Sequence, residues 1–319
     1  MALLEVQDLT TRYFTLRGSV KAVDEVSFQV NKGEMMGLAG ESGCGKTTVA
    51  LSILKILPPG GRILGGKVLF KGDDLVKLKE KEMRKIRWKE ISIVFQGAMN
   101  ALNPVYKVGD QIVEAIITHE PYVSRNEARD RAEKLLETVG LEPSRAENYP
   151  HEFSGGMRQR ALIAMALSCN PNLLIADEPG TALDVIVQAQ VLRLMKELKD
   201  KLNLAMILIT HDLSIIAETC EKIAIMYAGK IVEQGDIVTI FQEPLHPYTQ
   251  GLVGAFPSIK AEKRRMTSIP GFPPDLLNPP SGCRFHPRCP HAVGVCRSED
   301  PILVEVGKRY VACHFIKAA

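Results

Sequence analysis

No apolar run in the chain approaches the roughly 18–20 residues that a membrane-spanning helix needs. The opening MALLEVQDLT does not read as a secretory leader, since it places Glu5 and Asp8 where a leader carries basic and then apolar residues. Charge of one sign is scarce. Lys and Arg number 40 against 37 Asp and Glu, and a net +3 over 319 residues is too small to indicate a general polyanion binder. The charge-dense stretch KLKEKEMRKIRWKE mixes both signs and reads as a solvated helix face. No two cysteines stand at the close C-x₂₋₄-C spacing of a zinc knuckle. These absences predict a chain that is neither exported nor membrane-spanning by itself, with its seven cysteines reduced, which sets a disulfide framework aside. What is present is ordinary for a buried core: 45% apolar and 24% charged residues, in a length that suits one large domain with an extension, or two domains.

The stretch MMGLAGESGCGKTTVALSIL is the most informative. Met35 to Ala39 reads as a buried strand and TTVALSIL as the start of a helix. Between them, Gly40 to Thr47 fits G-x-x-x-x-G-K-[ST] in its required strand–loop–helix setting. Gly40, Gly43 and Gly45 let backbone N–H groups turn inward around a polyphosphate, with Ser42, Cys44 and Thr48 supplying further loop and helix backbone. The helix N-terminus adds partial positive charge. Lys46 can reach the β- and γ-phosphates, and the Thr47 hydroxyl can hold Mg²⁺.

A second apolar strand, NLLIADEPG, ends in Asp177-Glu178, where a Mg²⁺-positioning carboxylate and a general base are expected beside such a loop. A third, AMILITHDL, ends at His211, placed to reach the γ-phosphate. In FSGGMRQRALIAMAL, Ser154-Gly155-Gly156 opens a helix with apolar residues at Leu162, Met165, Ala166 and Cys169, stopped by Asn170-Pro171. That helix start is a second anion site, about 110 residues beyond the first.

With these motifs the chain resembles the ATP-binding-cassette (ABC) ATPases over residues 1–235. The resemblance implies an α/β fold: a P-loop NTPase (RecA-like) core of ABC type, with an antiparallel β subdomain and an inserted helical subdomain at about 97–158. It implies ATP and Mg²⁺ as ligands. Gln96 in ISIVFQ matches the loop glutamine that touches Mg²⁺ and links to the transport subunits, TALD (Thr181 to Asp184) the D-loop, and His211 the switch histidine. Tyr13 matches the aromatic that stacks on adenine. Lys46, Gln96, Glu178 and His211 are then the catalytic set, Thr47, Gln96 and Asp177 the Mg²⁺ set, and Ser154, Gly155 and Gly156 cover the γ-phosphate held by a partner subunit. Met157 and Gly180 depart from the usual signature glutamine and the usual threonine or serine, removing no proposed catalytic group.

Ser124-x-x-Glu127 reads as a capping box, followed by Ala128, Ala132, Leu135, Leu136 and Val139 on one helix face, with Gly140 as terminator. QGAMNALNPVYKVGDQI and EPLHPYTQGL are similar to the oligopeptide/dipeptide-importer branch. The implied contact with a helix of the membrane subunit lies around Met99 to Pro104. The branch implies a second, paralogous ATPase subunit, two integral-membrane permease subunits, an extracytoplasmic substrate-binding protein, no nucleic acid, and a peripheral place on the cytoplasmic face of the membrane.

KIAIMYAGKIVEQG reads as a hairpin closing the ATPase domain near residue 235, after which proline becomes dense and 236–319 reads as a loop-rich extension. Its Cys283, Cys289, Cys296 and Cys313 are separated by five, six and sixteen residues, wide for zinc. Four thiolates are also the ligand set of a [4Fe–4S] cluster, which some members of the branch carry. Cluster, Cys₄ zinc and unligated thiols all stay open. So does the cargo: dipeptides or oligopeptides, or else nickel, glutathione or sugars. A soluble ABC ATPase of nucleic-acid metabolism is the competing class. One uninterrupted cassette and a modest charge tell against it.

Overall fold

The computed structural model describes residues 2–97, 101–255 and 269–316. Strands in chain order are β1 (Ala2–Thr15), β2 (Gly18–Asn31), β3 (Met35–Ala39), β4 (Gly61–Phe70), β5 (Asp73–Asp74) and β6 (Ile91–Val94). There follow β7 (Leu173–Asp177), β8 (Ala205–Thr210), β9 (Lys222–Tyr227), β10 (Lys230–Asp236), β11 (Val304–Val306) and β12 (Arg309–Val311). The chain forms two compact units.

One unit takes residues 2–30, 35–76 and everything from 209 onward. Its antiparallel sheet has the order β2-β1-β4-β5. Alternation along β1 turns Leu4, Val6 and Leu9 inward, with a register shift between Gln7 and Thr10 where Asp8 takes φ 48°. Its other strands run β11-β12-β10-β9-β3, with β3 parallel to β9. All five residues of β3 are buried, as a strand covered on both faces must be. Ala228 and Gly229, at φ 48° and 88°, turn β9 into β10 with the backbone twist that a tight hairpin requires.

The loop-rich extension also contributes two short strands, β11 and β12. After Pro301 the sequence ILVEVGKRYVA is free of proline, so its backbone N–H groups can donate to a ladder. The edge of β10 offers the open ladder, and Val311, Tyr310 and Arg309 pair with Glu233, Gln234 and Gly235.

The other unit takes residues 31–34 and 77–208. Here β6 pairs parallel with β7, Ile91 opposite Leu173 through Val94 opposite Ala176. Helices Val108–His119, Arg125–Thr138 and Gly155–Ala166 bury Ile112, Ile116, Ala128, Ala132, Leu136 and Ile163 among themselves. Ser124 caps the second of these, its hydroxyl accepting from Glu127 N at 3.2 Å, and Gly140 at φ 74° follows its end. The third stops at Ala166, three residues before Cys169. Ser168 and Asn170 bond back to Met165 and Leu167 instead, in tight turns that Asn170 closes at φ 50°. Of the expected permease contact around Met99 to Pro104, Met99 and Asn100 lie outside the described residues.

Candidate nucleotide site

In the first unit, β3 delivers the chain into Gly40–Gly45 and the helix Lys46–Ile53. Gly40 and Gly45 have φ 148° and 107°. A β-carbon there would stand 2.2 Å from Met226 O and 2.1 Å from Ala22 O, so only glycine fits. A β-carbon on Gly43, at φ 80°, would meet nothing within 4 Å, which leaves that side of the loop open to a ligand. The helix has no acidic residue in its first turn and no side-chain cap, so its leading N–H groups stay available to an anion. Lys46 is buried, and its Nζ donates to Gly40 O at 2.7 Å and Glu41 O at 3.1 Å. The ammonium is thus stored against carbonyls of its own loop. Cys44 is buried and its thiol is pushed up by that burial, in keeping with a backbone role. Ser42 and Thr47 are exposed, while Thr48 is buried.

Tyr13 lies within β1, and its hydroxyl is 3.3 Å from Thr48 Oγ1 on the phosphate-loop helix. His211 follows β8 as an exposed residue at the start of the turn into Leu213–Thr219.

In the second unit, β7 ends with Asp177 buried and Glu178 immediately after it at φ 47°. Gln96 Nε2 donates to Glu178 Oε2 at 2.7 Å, and Thr181 Oγ1 donates to the same oxygen at 2.9 Å. Two donors on one carboxylate oxygen fix the carboxyl and leave the Gln96 amide oxygen for another partner. The Thr181 contact was not foreseen. Its signal is the i to i+3 spacing from Glu178 inside a turn. Ser154 caps Gly155–Ala166, accepting from Met157 N at 3.4 Å, and is itself exposed. A β-carbon on Gly156 would stand 2.5 Å from Val187 Cγ1.

None of the seven cysteines is in a disulfide. Burial pushes the Cys283 thiol up to about 11, and the thiols of Cys296, Cys313 and Cys289 push the same way. Cys283 N also donates to Cys296 O at 2.9 Å. Yet among the described residues no three His, Cys, Asp or Glu side chains stand close enough to hold one metal ion. The expected four-ligand centre is therefore not assembled in this structure.

Comparison with known proteins decides the family. The family model for ABC transporters matches residues 23–181, and the model for the oligopeptide/dipeptide transporter C-terminal region matches 232–296. A dipeptide transport ATP-binding protein, DppD, of Caldanaerobacter subterraneus subsp. tengcongensis is 44% identical, over 98% of this chain and 96% of its own. The chain belongs to the ABC transporter ATP-binding proteins. It is an ATPase of that family. The Escherichia coli oligopeptide transport ATP-binding protein OppD is 46% identical over 98% of this chain and 93% of its own. Among solved structures, the dimeric ABC transporter cassette MJ0796 covers 73% of this chain and 98% of its own, at 28% identity and a TM-score of 0.65. The same cassette has been captured after hydrolysis, as a dimer with ADP and phosphate. No described helix of the present ATPase is long and apolar enough to cross a membrane.

Proposed function

We propose that this ATPase is the motor subunit of an importer of dipeptides or oligopeptides, working from the cytoplasmic face of the membrane. Full-length similarity to peptide-transport ATP-binding proteins, with the matching C-terminal region, carries the reading. Its partners are a paralogous ATPase subunit, two permease subunits and an extracytoplasmic binding protein. A groove of about 950 Å³ beside Trp88, Tyr106, Gln111, Glu114 and His119 offers an apolar-and-polar seat for a permease helix. Residues 1–235 form the cassette, with 97–158 as its helical lobe, and 236–319 the extension.

Glu178 orients and polarises the water that attacks the γ-phosphorus, and the pair of donors on its carboxylate supports this role by holding it in one orientation. Lys46 leaves the Gly40 and Glu41 carbonyls to meet the β- and γ-phosphates, and His211 meets the γ-phosphate. Tyr13 stacks on adenine. Ser154, Gly155 and Gly156 cover the γ-phosphate of the partner subunit. The oxygen donors Thr47, Gln96 and Asp177 suit a hard cation, and Mg²⁺ bound there would neutralise charge on the β- and γ-phosphates. Reconstituted with its permease in liposomes, the protein should hydrolyse ATP faster when a peptide-loaded binding protein is added. Stimulation by a nickel- or sugar-loaded binding protein instead would redirect the cargo.

In the extension, Cys283, Cys289, Cys296 and Cys313 would together hold a [4Fe–4S] cluster. The donor set fits in chemistry, four thiols outside any disulfide, and their wide spacing along the chain suits a cluster better than one Zn²⁺. Such a group would lend order to a segment with little core. Anaerobically purified protein should carry about four iron atoms per chain. One zinc per chain would select the alternative, and metal-free protein with an equally ordered extension would reject both.

A further inference from the structure

Glu41, the second residue of the phosphate loop, is gripped by the extension at two points. Its carboxylate takes a two-pronged ion pair from Arg288, Nη1 to Oε2 at 2.6 Å and Nη2 to Oε1 at 3.0 Å. Its backbone N–H donates to the Tyr248 hydroxyl at 3.0 Å. Its carbonyl accepts from Lys46 Nζ. Arg288 and Tyr248 are buried, and all four residues lie in one compact unit.

The grip is not a surface ion pair held by chance. Arg288 Nε also donates to Pro270 O at 2.8 Å, and its guanidinium stands over the Tyr227 ring, 5.7 Å from the centroid. Phe285, just before the turn that Arg288 closes, packs edge-on against Tyr227 at 5.1 Å and against Tyr248 at 5.4 Å. The fork geometry fixes direction as well as distance.

Phosphate binding by backbone N–H groups asks for no acid at Glu41. A carboxylate there adds negative charge beside a seat for a polyanion, a Coulomb cost unless a cation answers it. Arg288 answers it. The loop also holds three glycines at positive φ, a backbone with many alternatives when nothing fastens it. Holding Glu41 at both carboxylate and amide removes those alternatives before a nucleotide arrives. We propose that Arg288 and Tyr248 are positioning residues for ATP binding: the extension pre-forms the phosphate loop through Glu41, so nucleotide affinity depends on the extension. The proposal rests on Gly40–Thr47 being the phosphate loop. Lys46→Ala checks that separately, by losing nucleotide binding outright.

The test is ADP titration of the full-length protein. Arg288→Gln weakens ADP roughly five-fold, a typical coupling between sites, and has no further effect in a Glu41→Gln background because the same contact is already gone. Arg284→Gln, which cuts the neighbouring anchor to Asp24 and Ala228 O without touching Glu41, leaves ADP affinity as it was. Tyr248→Phe keeps the packed ring, loses only the acceptor, and weakens ADP in a folded protein even where Arg288→Gln fails to fold. Linkage supplies the reciprocal readout: ADP slows amide exchange at residues 286–289 in the wild type and not in Glu41→Gln. Equal loss of affinity in Arg284→Gln, an undiminished Arg288→Gln effect without Glu41, or unchanged affinity in both Arg288→Gln and Tyr248→Phe would overturn the proposal.

Discussion

Glu178 takes φ 47°, a left-handed conformation that costs a non-glycine residue on the order of 1 kcal/mol or more. The strain is held by its setting: β7 fixes the backbone before it, and Gln96 and Thr181 fix the carboxylate beyond it. A residue kept in such a conformation with one oxygen doubly hydrogen-bonded is suited to aiming a water. Glu178→Gln should keep nucleotide binding, because the amide preserves size and hydrogen-bonding reach, and lower turnover by roughly 10²–10⁴-fold through loss of the base. Steady-state ATPase assays beside an ATP-binding titration would show it. Turnover close to the wild-type rate would assign the base elsewhere. At this scale the strand–loop–helix setting of Gly40–Thr47 and the strand ending in Asp177 were legible, because glycine, lysine and a strand-end acid stand at short fixed spacings, whereas Gln96 entered only through the family resemblance. Arg288 was not legible. It meets Glu41 across 247 positions, and no local spacing announces such a contact.

Among the elements, the strands and helices around the site announced themselves by period and by punctuation. The extension did not, because its order comes from tertiary contacts. Three buried arginines fasten it: Arg284 to Asp24, Arg288 to Glu41, and Arg309 to Glu243 beside the buried Glu233. Its helix Pro247–Gly254 is capped by His246, whose Nδ1 accepts from Tyr248 N at 3.0 Å. That ring is buried against Phe285 at 5.6 Å, and burial pushes it down to about 3. His246 N donates to the Glu233 carboxylate, whose own pKa is raised, by burial first. The signs follow from linkage. With its folded pKa below the ordinary 6.5, His246 takes up a proton on unfolding, so its share of stability is complete above 6.5 and is lost as pH falls toward 3. Glu233 acts oppositely: its share is present below 4.5 and is lost as pH rises above it. Denaturant midpoints of the wild type measured from pH 7 to 5 should therefore fall relative to those of His246→Gln. The difference should grow by at most about 1.4 kcal/mol per pH unit. Parallel curves would show that the imidazole titrates as if exposed.

For the whole molecule, one chain presents one phosphate loop and one Ser154-Gly155-Gly156 helix start, two places built for an anion in a protein with a single nucleotide motif. Ser154 spends its hydroxyl on Met157 N, so the cap orders the helix start while the residue stays exposed. Crowding by Val187 keeps position 156 free of any side chain, which lets another molecule approach the backbone closely. On the proposed reading, this helix start covers the γ-phosphate held by a second subunit. If two chains complete each site, the dilute protein is incomplete, and its specific ATPase activity should rise steeply with protein concentration or on addition of the paralogous subunit. A Gly156→Asp variant would carry a carboxylate into that surface. Mixed with Glu178→Gln protein, it should regain activity, because both lesions then fall on one site of the mixed pair, and the other keeps its own Glu178 and an unaltered helix start from the partner. Specific activity that stays constant over a hundred-fold dilution, at the full rate, would show that a single chain hydrolyses ATP unaided.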